Sequence, residues 1–156
     1  MYKFRLVAIG GTFDIIHKGH RELLRSAFEL GDKVLIGLTT DTFIRSMSKP
    51  HRVKPYVERL ESLKKLLVDM QVVSRAIITP IEDPYGPTIS DPAIEAIVVS
   101  DETCNRAFEI NRIREIKGLK ALKVVKIPMV LAEDGKPISS TRIRLGEIDE
   151  NGRLLR

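Results

Sequence analysis

The stretch Gly10-Gly11-Thr12-Phe13-Asp14-Ile15-Ile16-His17-Lys18-Gly19-His20 lies directly after a short apolar segment and directly before an amphipathic pattern. The apolar segment, residues 3–9, predicts a first β-strand, and the two glycines predict a turn at its end. A strand that turns at glycines into a helix start is expected to leave backbone N–H groups free at one point, where they bind phosphate. His17 and His20 are expected on one face of the first helical turn, directed at the same point. The stretch therefore predicts a phosphate-binding βα unit.

Strand and helix patterns alternate along the rest of the chain. Apolar or β-branched runs predict further strands over residues 33–40, 75–80, 96–100 and 123–130, the first of these buried on both faces. Helical spacing and capping residues predict helices over residues 17–30, 39–45, 56–70, 101–117 and 139–146. This alternation favours an α/β fold, a doubly wound (Rossmann-like) five-stranded parallel sheet with helices on both faces. No linker or repeat interrupts it, so residues 1–156 are expected to form a single domain.

The helical spacing also assigns individual side chains. Gly31 is expected to end the first helix. Residues 81–92, dense in Pro, Gly and Asp, are expected to be irregular for most of their length. The inner faces of the helices over 56–70 and 101–117 are expected to carry Val57, Leu60, Leu63, Leu66 and Leu67 in the first, and Ala107, Ile110, Ile113 and Ile116 in the second.

Composition limits the class of protein. Lys and Arg number 26 and Asp and Glu 21, which gives a formal net charge of +5. This excess suits small polyanionic substrates, whereas the pI of about 9.4 supports nucleic-acid binding only weakly, since aromatic residues make up 5% and Trp is absent. The single cysteine, Cys104, excludes an internal disulfide, and no apolar run reaches membrane-spanning length. A cytoplasmic protein without membrane or nucleic-acid partners is expected.

A second motif lies near the other end of the chain. In a parallel sheet of this kind, ligands bind at the carboxyl ends of the strands, here in loops over 10–14, 39–41, 80–85, 100–103 and 129–140. The last of these contains the start of Ile138-Ser139-Ser140-Thr141-Arg142-Ile143-Arg144. Serines at a helix start are usually plain N-caps, but arginines beside them add bidentate phosphate donors. The combination favours a second phosphate-binding element, which must meet the first in the fold.

The first motif has the pattern GTFDxxHxGH. It resembles the signature of the nucleotidyltransferase superfamily, which includes cytidylyltransferases, pantetheine-phosphate adenylyltransferases and nicotinamide-mononucleotide adenylyltransferases. The motif ISSTRIR resembles the second signature of that superfamily, which grips the β- and γ-phosphates of a nucleotide. Two histidines at this spacing are also half of a zinc site. The only other histidine, His51, lies in a basic loop, so no metal site is predicted.

The middle of the chain selects a member of the superfamily. The segments Asp83-Pro84-Tyr85-Gly86-Pro87, Val98-Val99-Ser100-Asp101-Glu102-Thr103 and Ile110-Asn111-Arg112 resemble the archaeal and eukaryotic type of pantetheine-phosphate adenylyltransferase. That resemblance spans nearly the whole chain and implies transfer of AMP from ATP to 4′-phosphopantetheine, with release of pyrophosphate. The bacterial type places arginines in the loop after the fourth strand, where this chain has Ser100 to Thr103. Arg106, Arg112 and Arg114 are candidates to supply that charge.

The resemblance implies a role for each site residue. His17 and His20 are expected to stabilise charge at the α-phosphate, and Lys49 to neutralise the transition state, with Arg52 and Lys54 as open alternatives. Mg²⁺ is expected to enter with the phosphates of ATP, because no acidic cluster is evident. The implied nucleotide-binding residues are Gly10, Gly11, Phe13, His20, Ser100, Glu102, Ser139, Ser140, Thr141 and Arg142. The implied substrate-binding residues are Thr12, Lys49, Asp83, Tyr85, Asn111 and Arg112.

Alternatives remain open at this point. Cytidylyltransferases share the first motif but typically read R-T-x-G-I-S-T-T at the second, where this chain has Lys136-Pro137-Ile138-Ser139-Ser140-Thr141 without the leading Arg-Thr. A flavin mononucleotide adenylyltransferase and a non-catalytic nucleotide sensor on the same fold are further possibilities. The intact histidines and serines favour an enzyme over a sensor.

Overall fold

A single parallel sheet organises the computed structural model, which describes residues 1–47 and 52–155. Its strands are β1 (Phe4–Gly11), β2 (Gly31–Thr39), β3 (Ala76–Ile81), β4 (Ala96–Val99) and β5 (Lys123–Lys126), in the order β3-β2-β1-β4-β5. The helices are α1 (Lys18–Leu30), α2 (Asp41–Ser46), α3 (Tyr56–Asp69), α4 (Cys104–Ile116) and α5 (Ser140–Arg144), with 3₁₀ turns at Val73–Arg75 and Gly86–Ile89. All pairs are parallel, so the predicted doubly wound five-stranded sheet is confirmed.

The two faces of the sheet pack against different helices. Val7 of β1 is buried together with Leu24 of α1 and Leu63 of α3. Its neighbour Ala8 points to the opposite face and is buried with Ala107 of α4. Because side chains alternate along a strand, β1 separates two apolar cores and is covered on both sides. The order of the strands reverses between β1 and β4, which is the point where such sheets open to ligands.

Two residues expected in the core lie at the surface. Val57 is 67% exposed and Ile116 is 80% exposed. In both helices an arginine, Arg59 in α3 and Arg114 in α4, occupies the buried stripe. Each misassigned residue is two positions from that arginine, about 200° around the helix. The prediction for Val57 and Ile116 was wrong, because the apolar pattern does not reveal that Arg59 and Arg114 are the buried residues at these points of the helices.

α1 ends at Leu30 with Gly31 as its C-cap, as predicted, although the reason for the glycine is not helix capping. Gly31 has φ −110°, an extended conformation, and is already the first residue of β2. The backbone therefore does not require glycine for a left-handed cap. A Cβ at this position would lie 2.7 Å from Val7 Cγ2, so the close approach of β1 explains the glycine.

A buried guanidinium fastens the loops around α4. Arg114, 1% exposed, donates hydrogen bonds to the carbonyl oxygens of Thr88 at 2.8 Å, Asp91 at 3.0 Å and Lys120 at 2.7 Å. These contacts commit the guanidinium of Arg114 to backbone carbonyl oxygens, so its buried position does not support its candidacy as a phosphate-binding cation. Among the helices described, none is long and apolar enough to cross a membrane.

Replacing Arg114 with Leu is expected to lower the free energy of unfolding by about 3 kcal/mol, because the buried Thr88 carbonyl and two partly buried carbonyl groups lose their donor. Arg112→Leu on the exposed side of the same helix is the matched control, with an expected change within about 0.5 kcal/mol. Urea unfolding of the two variants measures the difference. Equal losses would show that the buried contacts of Arg114 do not stabilise the fold.

Candidate functional site

A cavity of about 630 Å³ lies at the carboxyl edge of the sheet. The last residue of each strand, or the residue after it, lines this cavity. Both sequence motifs also contribute residues to its wall. The contributing strand-end residues are Gly11, Thr39, Ile81, Val99 and Ile127. The predicted strand-end loops therefore converge on one site.

Glycines form part of the floor of this cavity. Gly10 of β1 is paired in register with Gly37 of β2, and both line the cavity. A Cβ on Gly37 would lie 3.2 Å from the side chain of Ile81, a tight contact that would require Ile81 to shift. Gly37 is a cavity residue that was not predicted from the sequence. Its signal was a glycine inside the otherwise apolar run 33–40, which marks a close approach.

The turn after β1 is set by Phe13. This residue has φ 50°, in the left-handed region, and is 1% exposed. Its ring lies 5.0 Å from the ring of His20, centroid to centroid. A Cβ on Gly11 would lie 3.3 Å from Phe13 Cε2. Gly11 therefore makes room for the ring of Phe13, and that ring supports His20.

His17 and His20 cap α1 through reciprocal hydrogen bonds. His17 is the N-cap, and its Nδ1 accepts from the Gly19 N–H at 3.0 Å. The His17 N–H donates to Nδ1 of His20 at 3.2 Å, and the two rings stack with centroids 3.9 Å apart. A Cβ on Gly19 would lie 2.8 Å from His17 Cε1, which explains the glycine between the histidines. With each Nδ1 an acceptor, the N–H of both neutral rings is on Nε2.

This capping corrects the expectation of free backbone donors at the start of α1. The His17 and Gly19 N–H groups donate to the histidine rings, and the Lys18 N–H donates to the Glu150 carbonyl at 2.9 Å. These three amides therefore already have acceptors. At the start of α1 the imidazole rings, and not these three amides, offer hydrogen-bond donors to a ligand.

Both imidazoles are neutral at physiological pH. Burial, with a smaller contribution from Arg21, lowers the pKa of His17 to about 4. Burial also lowers the pKa of His20 to about 3, helped by repulsion from His17 and Arg21 and opposed by a hydrogen bond of the ring with the Ile15 backbone. The pair can therefore donate hydrogen bonds to an anion from fixed positions without carrying a charge of its own.

The second motif meets the first at this cavity. Ser139 is the N-cap of α5, where its Oγ accepts from the Arg142 N–H at 3.2 Å. Ser140 Oγ donates to the Ile15 carbonyl at 3.3 Å, which joins α5 to the turn after β1. Arg144 pairs with the buried carboxylate of Asp14. Ser139, Ser140 and Thr141 all line the cavity.

The remaining predicted residues divide into two groups. Thr12, Tyr85, Ser100 and Glu102 line the cavity, as does Arg106 of α4. Five other residues do not line the cavity: Asp83, Asn111, Arg112, Arg114 and Arg142. Asp83 accepts from the N–H groups of Tyr85 and Gly86, and Asn111 bonds both backbone groups of Leu122. Arg112 is exposed, Arg114 donates to carbonyl oxygens, and Arg142 forms ion pairs with Asp134 and Glu147.

The basic segment is only partly described. Lys49 and His51 lie outside the described residues. Arg52 and Lys54 are exposed and do not line the cavity, whereas Val53 between them does. Within residues 1–47 and 52–155 no cluster of three or more His, Cys, Asp or Glu side chains could hold a metal ion.

The parallel sheet with two phosphate-type motifs at its carboxyl edge defines a Rossmann-like α/β protein of the nucleotide-handling class. The chain belongs to the cytidylyltransferase-like family, whose model matches residues 8–146.

Relatives narrow the group further. The chain is 47% identical over 148 residues to the phosphopantetheine adenylyltransferase of Methanopyrus kandleri, covering 95% of this chain and 93% of that protein. It is 47% identical over 154 residues to the phosphopantetheine adenylyltransferase of Methanothermobacter thermautotrophicus, covering 99% and 92%. A solved structure of a protein of unknown function from Archaeoglobus fulgidus matches with a TM-score of 0.69 at 33% identity, covering 80% of this chain and 89% of that one. The resemblance predicted from the motifs is confirmed.

The histidine pair is expected to make the fold sensitive to acid. Unfolded, both rings take up a proton near their ordinary pKa of 6.5, whereas folded they do so only near 4 and 3. The unfolded state therefore binds more protons in this window, and the free energy of unfolding falls as the pH drops from 6.5 toward 4.

Urea unfolding at about pH 7 and about pH 5, in a His51→Asn background, measures this fall, because most carboxylates stay ionised in that range. Replacing His17 and His20 by Asn should remove most of it. An equal fall without the two histidines would contradict the assignment.

Proposed function

We propose that this chain is a phosphopantetheine adenylyltransferase, which acts in coenzyme A biosynthesis. A phosphate oxygen of 4′-phosphopantetheine attacks the α-phosphorus of ATP, the bond to the bridging oxygen breaks, and pyrophosphate leaves. The product is dephospho-coenzyme A. The observation that carries the proposal is the pair of Nε2–H donors, fixed by the His17–His20 cap, in one cavity with the serines of α5. The names of the archaeal relatives support the choice of substrates.

His17 and His20 act in this proposal as neutral hydrogen-bond donors to the α-phosphate and the bridging oxygen. The attacking phosphate is already an anion, so the reaction needs no strong base. It needs positioned reactants and donors aimed at the charge that develops in the transition state. The cap supplies such donors, because Gly19 and the stacked rings hold the imidazoles before any ligand arrives.

The start of α5 is proposed to hold the β- and γ-phosphates. Ser139 satisfies the Arg142 N–H, while the N–H groups of Ser140 and Thr141 have no acceptor among the residues that the structure describes. Unlike the amides at the start of α1, these are available to an anion. The hydroxyl group of Thr141 adds a donor at the same point, whereas that of Ser140 already donates to the Ile15 carbonyl.

The remaining substrate contacts are divided between the two sides of the cavity. Thr12 and the Phe13 N–H hold the attacking phosphate, and Tyr85 contacts the pantetheine chain beside Pro84 and Pro87.

On the nucleotide side, Gly10 and Gly11 leave room for ATP, and Ser100 and Glu102 bind it. Mg²⁺ enters as the complex with ATP, and Lys49 remains the proposed cation at the transition state. Asp83, Asn111, Arg112 and Arg142 keep structural or surface positions in this proposal.

An assay of pyrophosphate release with a panel of nucleotides and acceptors tests the function. ATP with 4′-phosphopantetheine should give pyrophosphate and dephospho-coenzyme A, while CTP with choline phosphate and ATP with flavin mononucleotide should give little. As a control, His20→Ala should lower kcat about 100- to 1000-fold, with a much smaller change in the KM for ATP. A preference for CTP or for a flavin acceptor would overturn the substrate assignment. Binding of ATP without turnover of any pair would favour a sensor.

Arg106 is expected to supply the charge that this type lacks in the loop after β4. It lines the cavity, whereas Arg112, six residues further along α4, is exposed outside it. Arg106→Ala should weaken binding of ATP or of 4′-phosphopantetheine about tenfold, the effect of one charged hydrogen bond. Arg112→Ala should leave both affinities unchanged. Calorimetric titration of each ligand decides, and equal affinities for the two variants would remove Arg106 from the site.

A further inference from the structure

A second buried guanidinium lies directly behind the turn after β1. Arg59 of α3 is fully buried, and its charge is balanced by Asp41, whose Oδ1 lies 3.0 Å away. Its Nη1 donates to the carbonyl oxygens of Thr12 at 2.9 Å and Thr39 at 2.8 Å. Its Nε donates to the Lys54 carbonyl at 2.7 Å. One side chain thus joins the ends of β1 and β2 to the segment that precedes α3.

The backbone of Lys54 is held from both sides. Its N–H donates to Oδ1 of Asp14 at 2.8 Å, while its carbonyl accepts from Arg59. The Tyr56 N–H donates to the same Asp41 carboxylate that pairs with Arg59. The described segment 52–55 is therefore tied to the first motif by charged groups, and these ties place the side chain of Val53 in the cavity wall.

We propose that Arg59 is a positioning residue for the transfer reaction, fixing Thr12 on one side of the acceptor phosphate site and the segment 52–55 on the other. The inference rests on the proposed function for its catalytic consequence. Arg59 does not line the cavity, and it acts through the backbone carbonyl groups of Thr12 and Lys54. The fork geometry of the guanidinium, and not its charge alone, carries this role, because one planar group must reach several acceptors at once.

Arg75 provides a matched comparison. It also donates to three carbonyl oxygens, those of Phe28, Gly31 and Asp32, but at the amino edge of the sheet, away from the cavity. Arg59→Lys and Arg75→Lys each keep the charge and lose the fork. Both variants are expected to lose some stability. Only Arg59→Lys is expected to displace Thr12 and segment 52–55.

Two measurements test the proposal. Trypsin cleaves after Arg52 but not after Lys54, which precedes Pro55, so the cut between Arg52 and Val53 reports on this segment. Arg59→Lys should raise the rate of that cut about tenfold relative to cuts elsewhere, the effect of one or two lost hydrogen bonds. It should lower kcat about 100-fold with a small change in the KM for ATP, because displaced reactants react slowly. Arg75→Lys should change neither quantity.

Asp41→Asn is a second, milder variant that keeps an acceptor for the Tyr56 N–H while removing the charge partner of Arg59. It should move both readouts in the same direction by a smaller factor. An unchanged cut after Arg52, or a wild-type kcat in Arg59→Lys, overturns the proposal. Cleavage is measured without substrates. It therefore tests whether Arg59 holds segment 52–55 even if the pyrophosphate assay shows that the chain catalyses a different reaction.

Discussion

The helix cap formed by the side chains of His17 and His20 is the constraint on which the rest of the site depends. Each ring accepts a backbone N–H at Nδ1, His17 from Gly19 and His20 from His17, so the cap also fixes the positions of both rings. Because both Nδ1 atoms are used in the cap, both remaining N–H groups are on Nε2. The neighbouring glycines and Phe13 serve this arrangement, since a Cβ at Gly19 or Gly11 would crowd the rings.

Side chains from distant parts of the sequence then gather around this cap. Asp14 receives the Lys54 N–H and pairs with Arg144, while Ser140 reaches the Ile15 carbonyl. The strand order makes this possible, because β1 lies in the centre of the sheet and the carboxyl ends of all five strands border one cavity. The two motifs, more than 100 residues apart along the chain, become neighbours through topology.

Much of this was predictable, and the failures share a physical cause. Alternating patterns identified all five strands and the parallel sheet, because burial on both faces leaves a strong signal in a strand such as β2. The motifs located the cavity. What the sequence does not reveal is which polar groups are already satisfied: the amides at the start of α1 were predicted free but have acceptors. The resemblance assigned Asn111 and Arg142 to the ligands, and in the structure both side chains make tertiary contacts and do not line the cavity. Their roles toward ligands stay predictions.

The electrostatics of the site differ from what a net charge of +5 suggests. Of the basic residues described, Arg59, Arg75 and Arg114 donate to carbonyl oxygens, and Arg142 and Arg144 pair with carboxylates. The central donors of the cavity, His17 and His20, are neutral. A neutral donor attracts a ground-state phosphate moderately, and its hydrogen bond strengthens as negative charge accumulates on the acceptor. Fixed neutral donors in the cavity therefore stabilise the transition state of nucleotidyl transfer more than the bound ground state, because negative charge accumulates on the acceptor oxygens in the transition state.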